Sequence, residues 1–278
     1  MTRYRRLKEP PVMVRKGGVR GVFAGMCAVL MVSCALAGLA MSTKGGEYVS
    51  VDLVGHEGQY EWRVLDRDLD PSTGGTFELR KPMATDGGLS FVLNDVSSGE
   101  VSDLYTVYMV WYGSLDMTGA TTITAKISMT YTGEDPTLVC RNGNSPYTAW
   151  QYTDIYGNLV YYTPFVRLHF LSSTGDSWEC SDYWWSSGDD GVEFAYLGFD
   201  DDKTAMSWTL TASLTDLASW SDRDGHFASA HGDVFSEALG DVREIGLSFG
   251  GGSLYANGVG VFGSESVVTF GLKSYAIA

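Results

Sequence analysis

The sequence predicts an all-β protein built as an antiparallel β-sandwich, with one short helix. Apolar and polar residues alternate along several segments, which is the pattern of half-buried strands. Turn-forming stretches such as TGED, STGD and SSGDDG separate these segments. The chain also has 34 Gly among 278 residues and is 13% aromatic, and this composition favours strands and turns over helices.

Three segments carry the alternation most clearly. In TTITAKISMTY (121–131), apolar residues occupy every second position from Ile123 to Tyr131, and Thr, Ser or Lys lies between them. TAMSWTLTASL (204–214) and VVTFGLKS (267–274) repeat the pattern, so we expect each to turn one face toward a core. The shorter segments YEWRVL, TFELR and LSFVLN, between residues 60 and 94, predict further strands of the same sandwich. A separate small module ending near Ser98 is the alternative.

One helix is predicted over residues 233–239. Asp233 can cap its N-terminus, since an aspartate side chain accepts hydrogen bonds from the first free backbone N–H groups. Val234, Phe235, Ala238 and Leu239 follow at helical spacing and form an apolar stripe.

The N-terminus has the features of a targeting segment. Residues 1–20 contain seven Lys or Arg and one acid, Glu9, and residues 21–41 are uncharged and mostly apolar. We therefore predict that residues 1–41 are a signal peptide and that the protein is exported, to the cell surface or beyond. An uncleaved membrane anchor is one alternative, and a lipoprotein acylated at Cys34 is another. The rest of the chain, residues 45–278, is predicted to form a single domain.

Charge excludes some classes of partner. The whole chain has a formal net charge of −15, and without residues 1–41 it has 12 basic and 33 acidic residues, for a charge of −21. Nucleic-acid binding needs clustered Lys and Arg, so it is not expected. Contact with a membrane is expected only through the N-terminal segment, if that segment is retained.

Calcium is the one metal that the acidic composition favours, and no other cofactor is predicted. In DRDLD (66–70), Asp66, Asp68 and Asp70 place carboxylates at alternating positions, as a calcium loop does. The glycine that an EF-hand needs at its sixth position is replaced by Pro71, so any calcium site here is of another type.

Cysteine usage agrees with export. Cys140 and Cys180 are the two cysteines outside the targeting segment. In an oxidising compartment, two thiols in one domain most simply form a disulfide, so we predict a Cys140–Cys180 bond.

Candidate ligand-binding residues lie on two neighbouring predicted strands. In DYWWS (182–186), Trp184 and Trp185 must point to opposite faces, so one can be buried while the other is exposed beside Asp182 and Tyr183. Indole rings stack on the apolar faces of sugars, and carboxylates accept hydrogen bonds from sugar hydroxyls. In PFVRLHFL (164–171), Arg167 and His169 share the polar face and could line the same surface. The alternative is that these side chains only cover the edge of the sandwich.

A family resemblance is carried by five stretches in order. They are VRLHF (166–170), DYWWS (182–186), WTLTASL with WSDRDG (208–225), VFSEAL (234–239) and IGLSFGGGSLYANGVGV (245–261). This set resembles the jelly-roll domain of exported bacterial proteins that often carry a PEP-CTERM sorting tail. More distantly, it is similar to carbohydrate-binding modules of the galactose-binding-like class. The resemblance covers Thr121 to the C-terminus and implies a sandwich of jelly-roll type.

That resemblance and the residues together predict a non-catalytic module that binds carbohydrate or associates with the cell envelope. The chain ends at FGLKSYAIA (270–278) without the sorting tail of such proteins, so we do not expect that sorting route. A structural or adhesive surface protein without a sugar pocket is the first alternative. The second is a jelly-roll polysaccharide lyase or hydrolase, although the paired carboxylates and the His and Tyr motifs of those enzymes do not occur as such.

Overall fold

The structure is a computed structural model. It describes residues 50–54, 61–67, 77–96, 104–141, 151–173, 182–188, 192–251, 255–263 and 265–278. The predicted targeting segment, including Cys34, and the predicted domain boundary at residue 45 lie outside the described residues. Within the described part of the chain, no helix combines the length and the apolar character needed to cross a membrane.

The described residues form eighteen strands and one α-helix. The first nine strands are β1 (Val51–Asp52), β2 (Trp62–Arg67), β3 (Phe77–Arg80), β4 (Met83–Thr85), β5 (Gly88–Val92), β6 (Tyr105–Leu115), β7 (Thr122–Gly133), β8 (Thr137–Cys140) and β9 (Gln151–Thr153). The other nine are β10 (Leu159–Tyr161), β11 (Pro164–Ser172), β12 (Tyr183–Ser186), β13 (Phe194–Tyr196), β14 (Ala205–Ser213), β15 (Trp220–Asp222), β16 (Val242–Gly251), β17 (Val259–Phe262) and β18 (Ser266–Ile277). The helix, α1, spans Gly232–Leu239.

Two packed antiparallel sheets confirm the predicted all-β sandwich. The six-stranded sheet has the order β14-β7-β18-β5-β4, with β1 paired to β18. The ten-stranded sheet has the order β15-β12-β11-β16-β6-β17-β8, with β13 on β11, β2 on β6 and β3 on β2. Strands β9 and β10 form a separate hairpin. Strand β5 pairs with β18 and strand β2 pairs with β6, so the strands before Ser98 contribute to both sheets.

The alternating segments occupy the six-stranded sheet as predicted. On β7, residues Ile123, Ala125, Ile127 and Met129 are buried and Lys126 is exposed. Strand β18 buries Val268, Phe270 and Leu272 in the same way. Trp208 on β14 shares this inward face, but it is only half-buried because it lies toward the exposed end of its strand.

The core lies between the two sheets and is rich in aromatic rings. Phe270 of β18 contacts Phe249 of β16, with 5.1 Å between ring centroids, so the two sheets interlock through these side chains. Tyr275 of β18 reaches across the core and donates a hydrogen bond to the Gly246 carbonyl of β16 at 3.1 Å. This bond gives the buried phenol a partner, and burial raises its pKa well above the usual value.

Helix α1 covers one end of the core. Phe235, Ala238 and Leu239 are buried, which confirms the predicted apolar stripe. The predicted cap is wrong by position: the helix begins at Gly232 with His231 as N-cap residue, and Asp233 lies inside the first turn. A carboxylate there still interacts favourably with the positive end of the helix dipole.

Candidate functional site

The site is built on the outer face of the ten-stranded sheet, meaning the face turned away from the other sheet. Strand β11 places Arg167 and His169 on this face, and the paired strand β12 places Tyr183 and Trp185 there. His169 lies directly opposite Trp185 in the register, and Tyr108 of β6 packs over the imidazole from the other side. Four of the predicted side chains, Arg167, His169, Tyr183 and Trp185, thus share this face, whereas Trp184 faces inward.

The tandem tryptophans divide between the two faces, as their alternation predicts. Trp184 is fully buried in the core, where it packs edge-on against Phe235 with 5.0 Å between ring centroids. Trp185 lies on the outer face but is only 4% exposed, since its ring contacts Tyr183, His169 and Tyr255. The sugar platform predicted as an open surface is therefore a recessed one.

His169 is a buried support rather than an accessible ligand contact. Its ring has no exposed surface and lies between Tyr108, at 4.9 Å, and Trp185, at 5.3 Å between centroids. Its Nδ1 is 3.1 Å from the Trp184 carbonyl, and its Nε2 is 3.3 Å from the Glu244 carboxylate. Both nitrogens are thus engaged within the protein, so the prediction that His169 lines a binding surface is wrong. The ring fixes the positions of its aromatic neighbours.

Arg167 has a similar supporting role. Its guanidinium carbon lies 4.7 Å from the ring centroid of Phe165, 4.5 Å from that of Phe194 and 4.4 Å from that of Tyr255. Nη1 donates to the Ser186 carbonyl at 2.6 Å, and the residue is 9% exposed. A cation enclosed by three rings stabilises their arrangement. Arg167 therefore holds Tyr255 in place and does not itself line the surface.

Above this platform lies a groove of about 540 Å³. Tyr108 and Trp185 line it from the sheet, and the 222–225 and 255–257 loops line it from outside the sheet. Three arginines complete the lining: Arg67, Arg141 and Arg223. Asp182 is not among the lining residues. The volume is within the range of small-ligand sites, about 300–1,000 Å³.

Both loops are held by side-chain hydrogen bonds. The Asp222 carboxylate accepts from the backbone N–H of Asp224 at 2.9 Å and of His226 at 2.8 Å, which closes the turn around Gly225. On the other loop, the Asn257 side chain accepts from the Gly251 N–H at 2.7 Å and donates to the Arg141 carbonyl. The groove is thus bordered by ordered backbone, and Arg141 is fixed to the loop that carries Tyr255.

Several donors in the groove have no acceptor within the described part of the protein. They are Trp185 Nε1, Arg67 Nε and Arg141 Nε, and all three atoms are buried. Burial, and secondly the charge of Arg67, lower the pKa of Arg141 to about 10. Burial is also the main cause that raises the pKa of the Tyr108 phenol far above its usual value. The groove is therefore lined by arginine side chains beside aromatic rings, and three buried N–H groups of its lining residues have no acceptor among the described residues.

The predicted calcium site is not supported at Asp66. This carboxylate is 2% exposed and accepts two hydrogen bonds from Arg80, at 2.5 Å and 3.2 Å, and one from Thr106 at 2.7 Å. It neutralises the partly exposed Arg80, so its oxygens are not open to a cation, and that part of the prediction is wrong. Asp68 and Asp70 lie outside the described residues.

A different acid cluster has the spacing of metal ligands. Ligand atoms of Asp222, Asp224 and His226 lie within 4.8 Å of one another. Imidazole with carboxylates suits a transition metal better than calcium. However, Asp222 already accepts two backbone hydrogen bonds and contacts His226 Nδ1 at 3.2 Å, so these contacts explain the cluster without a metal.

The predicted disulfide is not formed in this structure. Cys140 at the end of β8 has a free, buried thiol that lies 3.6 Å from the Tyr162 carbonyl oxygen. It is packed so closely against Gly251 that a Cβ atom added there would overlap its sulfur. Burial raises the pKa of this thiol to about 12, which disfavours the reactive thiolate. Cys180 lies outside the described residues.

The arginines of the groove could not be recognised from the sequence, because their sequence neighbours are mostly acidic. Arg67 and Arg223 each lie in an acid-rich stretch, DRDLD and SDRDG, which predicts calcium binding rather than anion binding. Tyr255 lies in a glycine-rich run that predicts turns. An arginine within an acidic stretch was the one sequence signal for these residues. The local sequence does not show that the arginines meet at one groove.

Comparison with known proteins adds no identity. No protein-family model matches the chain, and no curated protein is significantly similar to it. Function is therefore inferred from the outer face and its groove.

Proposed function

We propose that the protein is a carbohydrate-binding module and that the groove on the outer face of the ten-stranded sheet holds the saccharide. The observation that carries this proposal is the recessed Trp185, whose Nε1 has no acceptor among the described residues while its ring lines the groove beside Tyr108 and Tyr255. Sugars offer apolar faces for such rings and hydroxyl oxygens for such donors. The family resemblance of the motif set favours the same role.

Binding without catalysis fits the accessible groups best. Polysaccharide lyases and hydrolases need an acid or base that reaches the sugar. The imidazole on the outer face, His169, has no exposed surface and both its nitrogens are engaged, and the Tyr108 phenol has a strongly raised pKa. Of the two carboxylates that line the groove, Asp222 is buried and held by hydrogen bonds from its own loop, which leaves Asp224 without a second accessible acid beside it in the groove. A lyase would release unsaturated products that absorb in the ultraviolet, so incubation with uronate polymers tests this alternative directly.

The proposal predicts that Tyr255→Ala weakens saccharide binding about two- to tenfold, because one stacking contact contributes about 0.5–1.5 kcal/mol. A glycan array identifies the ligand, and titration followed by intrinsic tryptophan fluorescence measures its dissociation constant. Tyr196→Ala is the matched control. Tyr196 also contacts Phe165, with 6.4 Å between centroids as for Tyr255, but it is 60% exposed and lies outside the groove.

Equal affinity of the two variants would place the site elsewhere. If the folded protein binds no saccharide on the array, the proposal fails. The structural or adhesive alternative would then be favoured, and recovery of envelope components in a pull-down would support it.

A further inference from the structure

The groove concentrates positive charge in an acidic protein. The chain has a net charge of −15, yet three of the seven arginines that follow residue 50 line this one groove. They come from different parts of the chain: Arg67 from β2, Arg141 from the end of β8 and Arg223 from the loop after β15. Because the protein as a whole is acidic, three arginines that meet at one groove indicate a specific role for positive charge there.

Arg67 and Arg223 lie over the rings of Phe77 and Tyr183, but none of the three groove arginines has an acidic partner among the described residues. Arg80 is paired with Asp66 and Arg63 with Glu61, whereas no acidic group of the described residues forms a salt bridge with Arg67, Arg141 or Arg223. The two acids that line the groove do not change this. Asp222 accepts hydrogen bonds from its own loop, and Asp224 is exposed at the rim.

The arrangement of Arg67 and Arg141 disfavours the folded protein. Both are partly buried, both have a buried Nε without an acceptor, and their like charges repel each other. Ionisable groups whose charged form is destabilised by their surroundings are common at ligand-binding and catalytic sites.

We infer that the groove recognises the acidic group of an anionic saccharide, which Arg67 and Arg141 bind while Trp185 and Tyr255 contact the sugar ring. The inference rests on the proposed function and names its ligand class. A guanidinium donates two parallel hydrogen bonds to a carboxylate or a sulfate group, and both chemistries occur on acidic sugars.

The overall charge limits the length of ligand that suits a test. A long polyanion would be repelled by the remaining acidic surface, whereas a short segment experiences mainly the local field of the arginines. Short oligosaccharides are therefore the appropriate probes.

The test compares charged and neutral forms of the same sugar by isothermal titration calorimetry on the full chain. Oligogalacturonates are compared with their methyl esters, and sulfated dextran oligosaccharides with unsulfated ones. We expect at least one charged form to bind about ten- to a hundredfold more tightly than its neutral counterpart, as for hydrogen bonds to charged groups. The two pairs distinguish a carboxylate from a sulfate ligand.

Variants place this preference in the groove. Arg141→Gln and Arg67→Gln should each abolish most of the preference for the charged form, so that the charged and the neutral form bind with nearly equal affinity. Arg243→Gln is the control, because it removes the same charge from an exposed position of β16 outside the groove. Arg141→Gln removes a charge that burial disfavours, so it should fold, and circular dichroism checks this.

The outcomes separate the inference from the proposed function. If neutral and charged forms bind equally, the inference is overturned and the carbohydrate-binding proposal stands. If none of the saccharides on the array or in the calorimeter binds, the proposed function itself fails. A charged preference that survives both Arg67→Gln and Arg141→Gln would also overturn the inference, since the acidic group would then be bound elsewhere.

Discussion

The outer faces of the two sheets are made by the same strand alternation but differ in chemistry. On the six-stranded sheet, β7 and β14 present Thr, Ser and Lys, and Lys126 is exposed. On the ten-stranded sheet, β11 and β12 present Arg167, His169 and Trp185, and all three are buried. A solvated polar face is the ordinary outcome for an antiparallel sandwich. A face of buried rings and a buried arginine is unusual for such a sandwich. The ten-stranded sheet is therefore the one whose outer face we propose as the binding surface.

The comparison also separates support from contact. His169 and Arg167 lie beneath the platform and hydrogen-bond to protein groups, whereas Trp185, Arg67 and Arg141 line the groove itself. Buried polar groups that are satisfied stabilise a unique arrangement, and unsatisfied ones destabilise it. The outer face therefore has a layer of supporting contacts beneath the residues that line the groove.

The largest expected effect distinguishes the two faces of β12 itself. Trp184→Ala should lower the free energy of unfolding by about 3–5 kcal/mol, because it leaves a large cavity among core rings. Lys126→Ala, on the solvated face of the other sheet, should change it by no more than about 0.5 kcal/mol. Chemical denaturation measures both. A loss below about 1 kcal/mol for Trp184→Ala would show that this indole is not in the core.

A smaller effect of opposite sign is expected in the groove. Arg141→Met should stabilise the free protein by roughly 1 kcal/mol at pH 7, after allowance for solvent screening, because it removes a disfavoured buried charge. Since the folded pKa of Arg141 is lowered to about 10, its charged form destabilises the native state below that pH. The difference between wild type and variant should therefore shrink as the pH rises through 10.

Denaturation of both proteins at pH 7 and above pH 10 tests this expectation, and titrations of other groups cancel in the difference. Destabilisation by Arg141→Met at pH 7 would mean that the arginine has an acceptor in the protein. It would then belong with the supporting layer rather than with the groove.

The smallest effect is expected on the polar face. Thr124 of β7 and Thr211 of β14 are paired across the strands, with 3.3 Å between their hydroxyl oxygens. Thr211→Ala should cost about 0.2–1 kcal/mol of stability, as for a cross-strand pair, and should leave saccharide affinity unchanged. A measurable loss of affinity in this variant would show that the six-stranded sheet also contributes to binding.

Strand alternation was enough to predict the sandwich and the face that many residues occupy. The positions from Ile123 to Met129 follow it, as do Val268, Phe270 and the opposed pair Trp184 and Trp185. Alternation is encoded locally, since successive side chains of any extended strand point to opposite sides. The apolar stripe of α1 was predictable for the same reason, from its helical period.

The sequence by itself therefore determined the fold class, the inward residues and the strands that carry candidate ligand contacts. Only the tertiary structure decided that His169 and Arg167 are covered, that Asp66 is neutralised by Arg80, and that Cys140 is a free thiol. It also brought together Arg67, Arg141 and Tyr255, which belong to segments far apart in the chain. The physical reason is that strand period specifies a face, whereas burial and charge compensation depend on neighbours supplied by long-range strand pairing and by loops.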